Sequence, residues 1–198
     1  MSDQVLQAIG RRHTARDIRE AFCTAREVGF ACINMDLIAG LPQDSVEGFR
    51  DSLEEVLALR PENITVHTLA MKKGSRLMEE GGALPSSEET GRMVNLSLEA
   101  LEGAGYRPYY LYRQKYMSGG LENVSWCLPG TENHYNIIMM EELQSVLSLG
   151  AGGVTKLVDR SSGRIVRLTN PKYPHDYLAM SAKVLEQKDE ILRFYREV

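Results

Sequence analysis

The chain has 198 residues, of which 43% are hydrophobic and 25% are charged, an ordinary composition for a globular protein. The formal net charge is −4, so the overall charge gives no reason to propose nucleic acid or an anionic membrane as a partner. No apolar run approaches the roughly 20 residues of a membrane span, and the N-terminus lacks the regions of a signal peptide. We therefore expect a cytoplasmic protein.

The three cysteines, Cys23, Cys32 and Cys127, are an odd number at wide and irregular spacing. This pattern argues against a disulfide framework and is typical of proteins in a reducing compartment. No two of them are close enough in sequence to resemble a zinc or cluster motif. We therefore expect no metal site in this chain.

The first third of the chain predicts a helix, a strand, a second helix and a second strand. Their predicted bounds are Thr14–Glu27, Phe30–Leu41, Ser45–Leu59 and Asn63–Ala70. This order is typical of parallel strands joined by helical crossovers. Only two strands of this type are visible, and two cannot form a covered parallel sheet. We expect an upstream segment or a partner to supply the rest.

The remaining two thirds of the chain have a mixed pattern. The predicted elements are a Gly-rich loop at Lys72–Pro85, a helix from Ser86 or Ser87 to Ala104, a strand at Gly105–Tyr116, a loop at Met117–Asn136, a short exposed strand at Ile165–Leu168 and a helix at Tyr177–Val198.

Asp36 is the best candidate for a ligand contact. Strand alternation places Asn34 and Asp36 on the face opposite to the apolar Ile33, Met35 and Leu37, and Asp36 is expected near the strand's carboxyl end. Ligands bind at that end in barrels and open α/β sheets. The alternative is an Asp paired with a neighbouring Arg or capping the following turn, and the residues alone leave the two open.

His67 and Thr65 occupy the corresponding face of the next predicted strand. His67 could be a ligand, a base or a core histidine bonded to a carbonyl, and the pattern favours the last. The loop that contains His134 and Asn136 is a further candidate, because polar groups on loops often serve function.

Two other patterns favour a structural use. Gly150–Gly153 lacks the Lys-Ser/Thr of a phosphate-binding loop, so close backbone packing or a bulge is favoured over a phosphate cradle. The tyrosines at positions 109, 110, 112 and 116 could form an aromatic platform, although an ordinary half-buried sheet face is favoured.

The run Ile-Asn-Met-Asp-Leu-Ile-Ala-Gly-Leu-Pro at residues 33–42 resembles the oxygen-independent coproporphyrinogen III oxidase family of radical S-adenosylmethionine enzymes. The stretches Ile9–Thr14 and Leu59–Val66 are also similar to it. Glu122–Val124, Tyr135–Ile137 and Leu149–Lys156 look like its coproporphyrinogen dehydrogenase branch, called HemZ. The resemblance covers nearly the whole chain.

The resemblance implies an α/β fold: the C-terminal part of an incomplete (β/α)6 barrel, followed by a small α+β domain. The implied divisions are residues 1–71 for the last barrel units, 72–85 for a linker and 86–198 for the C-terminal domain. It also implies S-adenosylmethionine and a [4Fe–4S] cluster held by Cys-x3-Cys-x2-Cys. The family's oxidases convert coproporphyrinogen III to protoporphyrinogen IX, with an electron donor as partner.

Residue by residue, Asp36 and Ala70 match positions of the family that line the S-adenosylmethionine site. Asn34 and Lys156 are weaker candidates for the same cofactor, and Lys156 lies in the matching stretch Gly152–Lys156. His67, His134 and Asn136 are candidates for contact with the porphyrinogen.

The departure from the family is that the cluster motif is absent from residues 1–198. We therefore expect a fragment that is inactive alone and binds no cofactor tightly. Two alternatives are a haem-chaperone-like paralogue of the same superfamily and a non-catalytic binding or assembly module. The exposed barrel edge of the fragment is expected to favour self-association.

Overall fold

The computed structural model describes residues 1–70, 83–112 and 121–197. Within these ranges the chain divides into two compact units, Met1–Asn133 and His134–Val198. In the first unit, the described helices are α1 (Asp3–Ala8), α2 (Ala15–Val28), α3 (Val46–Leu59) and α4 (Ser87–Gly103), and the strands are β1 (Asn34–Ala39), β2 (Asn63–Thr68), β3 (Arg107–Tyr112) and β4 (Asn123–Cys127).

The four strands of the first unit form one sheet in the order β1-β2-β4-β3. β1 and β2 are parallel and are joined through α3, as the alternation of apolar runs predicts. β4 is antiparallel to both β2 and β3. β1 is therefore a terminal strand of the sheet that the structure describes.

The helices of this unit begin where local side-chain chemistry predicts. Thr14 caps α2 through a reciprocal pair of hydrogen bonds with Asp17, and Ser86 caps α4 in the same way through Glu89. Gly29 ends α2 with φ of +97°, a conformation that an L side chain would strain.

One face of the sheet is apolar and packs under α3 and α4. The strands present their alternate residues to this face, and the two helices cover them with fully buried side chains. The buried members of this core include Leu37, Ala39, Ile64, Val66 and Trp126 from strands, and Phe49, Leu53, Val56, Met93 and Leu101 from helices. The other face of the sheet carries the side chains at the remaining alternate positions, among them Asn34 and Asp36 of β1.

The second unit contains α5 (His134–Met140), the antiparallel hairpin of β5 (Val154–Asp159) and β6 (Arg164–Thr169), α6 (Pro174–Ala179) and α7 (Ser181–Glu197). Leu157 and Leu168 of the hairpin pack with Phe194 of α7 as its small buried core. The short strand predicted at residues 165–168 and a C-terminal helix are thus both present.

The predicted loop at Met117–Asn136 is wrong over residues 123–127 and from residue 134, which form β4 and the start of α5. β4 has polar residues at alternate positions, and Asn123 and Ser125 are almost completely buried. Their hydrogen bonds to Thr65 and Thr68 of β2 make this burial possible, and a polarity pattern does not reveal such bonds. The first strand, predicted at residues 30–41, is also shorter than expected.

The predicted linker at residues 72–85 lies mostly outside the described residues. The elements after it, α4, β3 and β4, belong to the same compact unit as β1 and β2, and the division by packing falls after Asn133. The assignment of residues 86–198 to a separate family domain stays a prediction.

Over the described ranges, no helix is both long and apolar enough to cross a membrane.

Replacing Leu53 by Ala removes a side chain with no exposed surface from the core beneath the sheet. We expect the free energy of unfolding of the first unit to fall by about 2–5 kcal/mol. Trp126, the chain's single tryptophan, lies in this core and reports urea unfolding by its fluorescence.

The matched control is Leu98→Ala on α4, where the side chain is about a third exposed (36%). It should cost much less than Leu53→Ala. Equal losses for the two variants would contradict the placement of the core.

Candidate functional site

The face of the sheet opposite to the helices is lined mainly by polar side chains. The strand register places neighbours side by side across it: Asp36 opposite Thr65, Thr65 opposite Ser125, and Ser125 opposite Tyr110. Asn34 and His67 share this face because they lie two residues from Asp36 and Thr65. A polar surface therefore crosses the sheet from β1 to β3.

A β-bulge between Pro108 and Tyr110 brings the β3 tyrosines to this face. The bulge shifts the pairing by one residue, so that Tyr110 lies opposite Ser125 and Tyr112 opposite Asn123. Without the shift, Tyr109 and Leu111 would take these places. Tyr110 and Tyr112 then stack, with ring planes 9° apart and centroids 6.2 Å apart.

A directed chain of hydrogen bonds runs across the centre of this face and ends at Asp36. The Thr65 hydroxyl donates to Asn34 Oδ1 at 3.1 Å, and the Asn34 amide donates to Asp36 Oδ1 at 2.6 Å. Thr65 has one proton to donate, so the 2.7 Å contact between Thr65 and Ser125 must be donated by Ser125. This series of hydrogen bonds gives the buried hydroxyls partners and directs the Asn34 amide donor to the Asp36 carboxylate.

His67 lies on the other side of the same carboxylate. Its Nε2 is 3.7 Å from Asp36 Oδ2, an ionic separation longer than a hydrogen bond, and its Nδ1 is 3.1 Å from the Tyr112 hydroxyl. The favoured prediction of a core histidine bonded to a carbonyl is therefore wrong. The neighbours that the structure gives His67 are a phenol and a carboxylate.

These neighbours keep Asp36 ionised. His67 is the largest cause that lowers the pKa of Asp36, partial burial opposes it, and the Asn34 amide lowers the pKa further. The Asp36 side chain is 57% exposed, and its contacts are with Asn34 and His67 rather than with the arginine or the turn of the alternative prediction. Asp36 is the third of six residues in β1, so it lies farther from the strand's carboxyl end than expected.

A cavity of about 720 Å³ adjoins this carboxylate within the first unit. Asp36, His67, Ala70 and Tyr112 line it together with apolar side chains of α1, α3 and the helix-facing side of β1, and its volume is within the roughly 300–1,000 Å³ typical of small-molecule sites. The structure thus brings three of the sequence-predicted residues, Asp36, His67 and Ala70, to one cavity. Asn34 joins them through its bond to Asp36.

Lys156, His134 and Asn136 belong to the second unit. The ammonium group of Lys156 donates to the Met139 carbonyl at 2.9 Å and lies 3.1 Å from a Glu142 carboxylate oxygen, and its side chain is only 12% exposed. His134 and Asn136 lie in the first turn of α5 rather than in a loop. Their proposed contacts with cofactor or substrate stay predictions.

The glycines at residues 150–153 pack closely, as the sequence favours. A Cβ atom on Gly153 would come within 2.6 Å of the Ser148 hydroxyl, and the Gly150 carbonyl accepts a hydrogen bond from Asn170. These contacts explain the glycines without a bound phosphate.

The described residues do not fit a [4Fe–4S] cluster. Cys23 and Cys32 are exposed, Cys127 is buried, and over the described ranges no group of three His, Cys, Asp or Glu side chains could hold a metal ion. Burial raises the pKa of the Cys127 thiol to about 11, so it stays protonated at neutral pH. No cluster chemistry is therefore assigned to these cysteines.

Sequence reasoning missed Asn123 and Ser125 as parts of this face, and for Tyr112 it favoured an ordinary half-buried sheet face over an aromatic platform. The alternation of polar and apolar residues in Asn-Val-Ser-Trp-Cys was the available signal for β4. The role of Tyr112 depends on the bulge, for which the tyrosine cluster itself carries no local signal.

The pH dependence of stability tests the ionised state of Asp36. Because the folded-state pKa lies below the unfolded value of about 3.9, the stabilisation from this group is present above that value. It is lost as pH falls through the folded pKa. We expect wild type to be more stable than Asp36→Asn at pH 7, and the difference to shrink below about pH 4.

Urea unfolding of both proteins between pH 7 and pH 3 measures this difference. Asp51→Asn, at an exposed position of α3, is the control and should track wild type at every pH. A gap between wild type and Asp36→Asn that widens on acidification would contradict the assignment.

Comparison with known proteins identifies relatives of this chain. No model of a known protein family matches the chain. The chain is 39% identical, over 99% of its length, to the Bacillus subtilis oxygen-independent coproporphyrinogen-III oxidase-like protein HemZ, of which it covers 39%. It is 30% identical, over 61% of its length, to the B. subtilis haem chaperone HemW, of which it covers 32%.

Among solved structures, Escherichia coli coproporphyrinogen III oxidase HemN, described as a radical SAM enzyme, matches with a TM-score of 0.64. The match covers 87% of this chain and 39% of HemN at 19% identity, so it shows the fold. The predicted α/β fold class is thereby confirmed. The chain spans about two fifths of the length of HemZ and HemN. It belongs to the family of oxygen-independent coproporphyrinogen III oxidases and their relatives, on the HemZ-like branch.

Proposed function

We propose that the polar face around Asp36 is the part of an S-adenosylmethionine site that binds the ribose. The observation that carries this proposal is an ionised carboxylate held from two sides at the wall of a 720 Å³ cavity. The chain's membership of a family whose HemN member is described as a radical SAM enzyme supports it.

The carboxylate of Asp36 has acceptor positions left for a ligand. An ionised carboxylate offers about four lone-pair positions. One is taken by the Asn34 amide and a second faces His67. The remaining positions suit the two neighbouring hydroxyls of a ribose, which donate to carboxylates in nucleotide sites of other α/β folds. A lowered pKa keeps this carboxylate an acceptor at neutral pH.

Ala70, two residues after the end of β2, lines the same cavity, and its backbone is the group we propose for further contact with this cofactor. Asn34 acts through Asp36. Lys156 as a cofactor contact, and His67, His134 and Asn136 as porphyrinogen contacts, are weaker proposals, because no described contact of theirs points to those ligands.

For the whole protein we propose a radical SAM oxidoreductase that oxidatively decarboxylates coproporphyrinogen III to protoporphyrinogen IX. The names of its relatives support this substrate class. In such an enzyme a [4Fe–4S] cluster would supply reducing chemistry, with an external electron donor as partner. The described residues do not hold that cluster, so the role proposed for this chain is to bind and orient the cofactor.

Binding of S-adenosylmethionine by the whole gene product that contains this chain tests the proposal. We expect Asp36→Asn to weaken binding by roughly tenfold or more, because a charge-assisted hydrogen bond contributes about 1.5–3 kcal/mol. Isothermal titration under anaerobic conditions measures the affinity. Asp51→Asn should bind as wild type does, and unchanged affinity in Asp36→Asn would refute the proposal.

A second candidate function is haem carriage, which the matches to haem chaperones named HemW favour. The same preparation distinguishes the two functions. Turnover of coproporphyrinogen III supports the oxidase, whereas stoichiometric haem binding without turnover supports the chaperone.

A third candidate is a binding or assembly module that associates through β1. β1 is a terminal strand of the described sheet, and terminal strands can pair with other chains. On this proposal, light scattering should show a mass that rises with concentration, and Met35→Lys, at a partly buried position of β1, should reduce it. A monomer at all concentrations would remove this candidate.

A further inference from the structure

We propose that His67 and Tyr112 are positioning residues for Asp36: the Tyr112 hydroxyl holds the proton of the His67 ring on Nε2, where it faces the carboxylate. The proposal deepens the function proposed for this cavity and rests on it for its consequence in ligand binding. The arrangement of Asp36, His67 and Tyr112 can be tested in this chain without a ligand.

Three strands are needed to build the arrangement. Asp36 lies on β1, His67 on β2, and Tyr112 on β3, which reaches the sheet through β4. The bulge before Tyr110 turns Tyr112 to the polar face, where its ring meets His67 edge-on, with centroids 6.2 Å apart and planes 69° apart. Stacking on Tyr110 holds the Tyr112 ring in this orientation.

The proton positions follow from the partners. A neutral imidazole carries one ring proton, and the other nitrogen accepts. Nδ1 is 3.1 Å from the Tyr112 hydroxyl, which can donate to it, whereas Nε2 faces a carboxylate, which can only accept. Donation by Tyr112 to Nδ1 therefore leaves the ring proton on Nε2, directed to Asp36.

The consequence is a carboxylate whose orientation is fixed from both sides. Asn34 donates to Oδ1, and the Nε2–H of His67 attracts Oδ2 across 3.7 Å. Because the Asp36 side chain is more than half exposed, one neighbour would restrict its rotation less than two neighbours do. Two neighbours set the plane of the carboxylate, so that its remaining lone pairs are directed into the cavity before a ligand arrives.

Other charged and titratable groups also line the cavity. Those that line the cavity besides Asp36, His67 and Tyr112 are Met1, with its amino group, Arg11, His13 and Asp44.

Nuclear magnetic resonance of this chain tests the proposal directly. The ring nitrogen shifts of His67 report where the proton lies, and the carboxyl carbon shift of Asp36 reports its titration. In wild type above pH 8 we expect the proton on Nε2. Tyr112→Phe keeps the ring and removes only the hydroxyl, and it should yield a mixture of both tautomers. A proton on Nδ1 in wild type, or an unchanged tautomer in Tyr112→Phe, would overturn the proposal.

A pair of His67 variants separates positioning from packing. Gln retains an amide donor near the place of Nε2, whereas Phe fills the space without a donor. We expect the titration of Asp36 to move toward that of an ordinary carboxyl group in His67→Phe and to stay closer to wild type in His67→Gln. Equal titration of Asp36 in the two variants would assign His67 a packing role. If His67→Phe does not fold, the Tyr112→Phe result still decides.

Ligand affinity of the whole gene product completes the test. His67→Phe should weaken binding of S-adenosylmethionine by several-fold, and His67→Gln should restore most of it. If Asp36→Asn binds S-adenosylmethionine as wild type does, the proposed function fails. The His67 tautomer measurement would still test the arrangement of the three side chains. If Asp36→Asn loses binding and both His67 variants bind as wild type does, the function stands and the positioning role fails.

Discussion

The hydroxyl pair of Thr65 and Ser125 is the contact on which the polar face of the sheet depends. Thr65 is 2% exposed and Ser125 is completely buried, so each would be costly without a partner. Their 2.7 Å contact links β2 to β4, and the onward bond from Thr65 fixes Asn34 on β1. Asn34 in turn donates to Asp36. One buried pair thus connects the sheet's interior to the carboxylate at its cavity.

One face of the sheet contributes to stability, and the other carries the polar side chains of the candidate site. The apolar face packs under α3 and α4 and supplies the core of the first unit. This rigid support allows the opposite face to carry polar groups in fixed positions, because the strands that hold them cannot shift without disturbing the core. Asp36 and Leu37 show the division at neighbouring residues: the Asp36 side chain is more than half exposed beside Asn34, whereas Leu37 is buried in the core beneath the helices.

The helices and the parallel pair β1 and β2 could be predicted because their signals are local. Thr14 and Ser86 start helices through side chains three residues away, and the apolar runs of β1 and β2 flank an amphipathic helix. Asp36 stood out for similar reasons, since alternation alone placed it opposite an apolar face. Family resemblance then related it to a cofactor, which the residues alone left open.

The partners of Asp36 could not be predicted, because they come from strand pairing over long separations in sequence. Ser125 is 60 residues from Thr65, and Tyr112 is 45 from His67. The strand β4 was hidden because two of its buried residues, Asn123 and Ser125, are polar, and the place of Tyr112 depends on a one-residue bulge. His67 was judged by how single histidines usually behave, whereas its role follows from Tyr112 and Asp36.

The most direct test of the account is a comparison of ligands that differ only at the ribose. S-adenosylhomocysteine and its 2′,3′-dideoxy analogue are titrated into the whole gene product and into its Asp36→Asn variant. If Asp36 binds the ribose, loss of the two hydroxyls should weaken binding to wild type by about tenfold or more and make little further difference in Asp36→Asn. An equal penalty for the analogue in both proteins would contradict the account, because the hydroxyls would then be bound by another group.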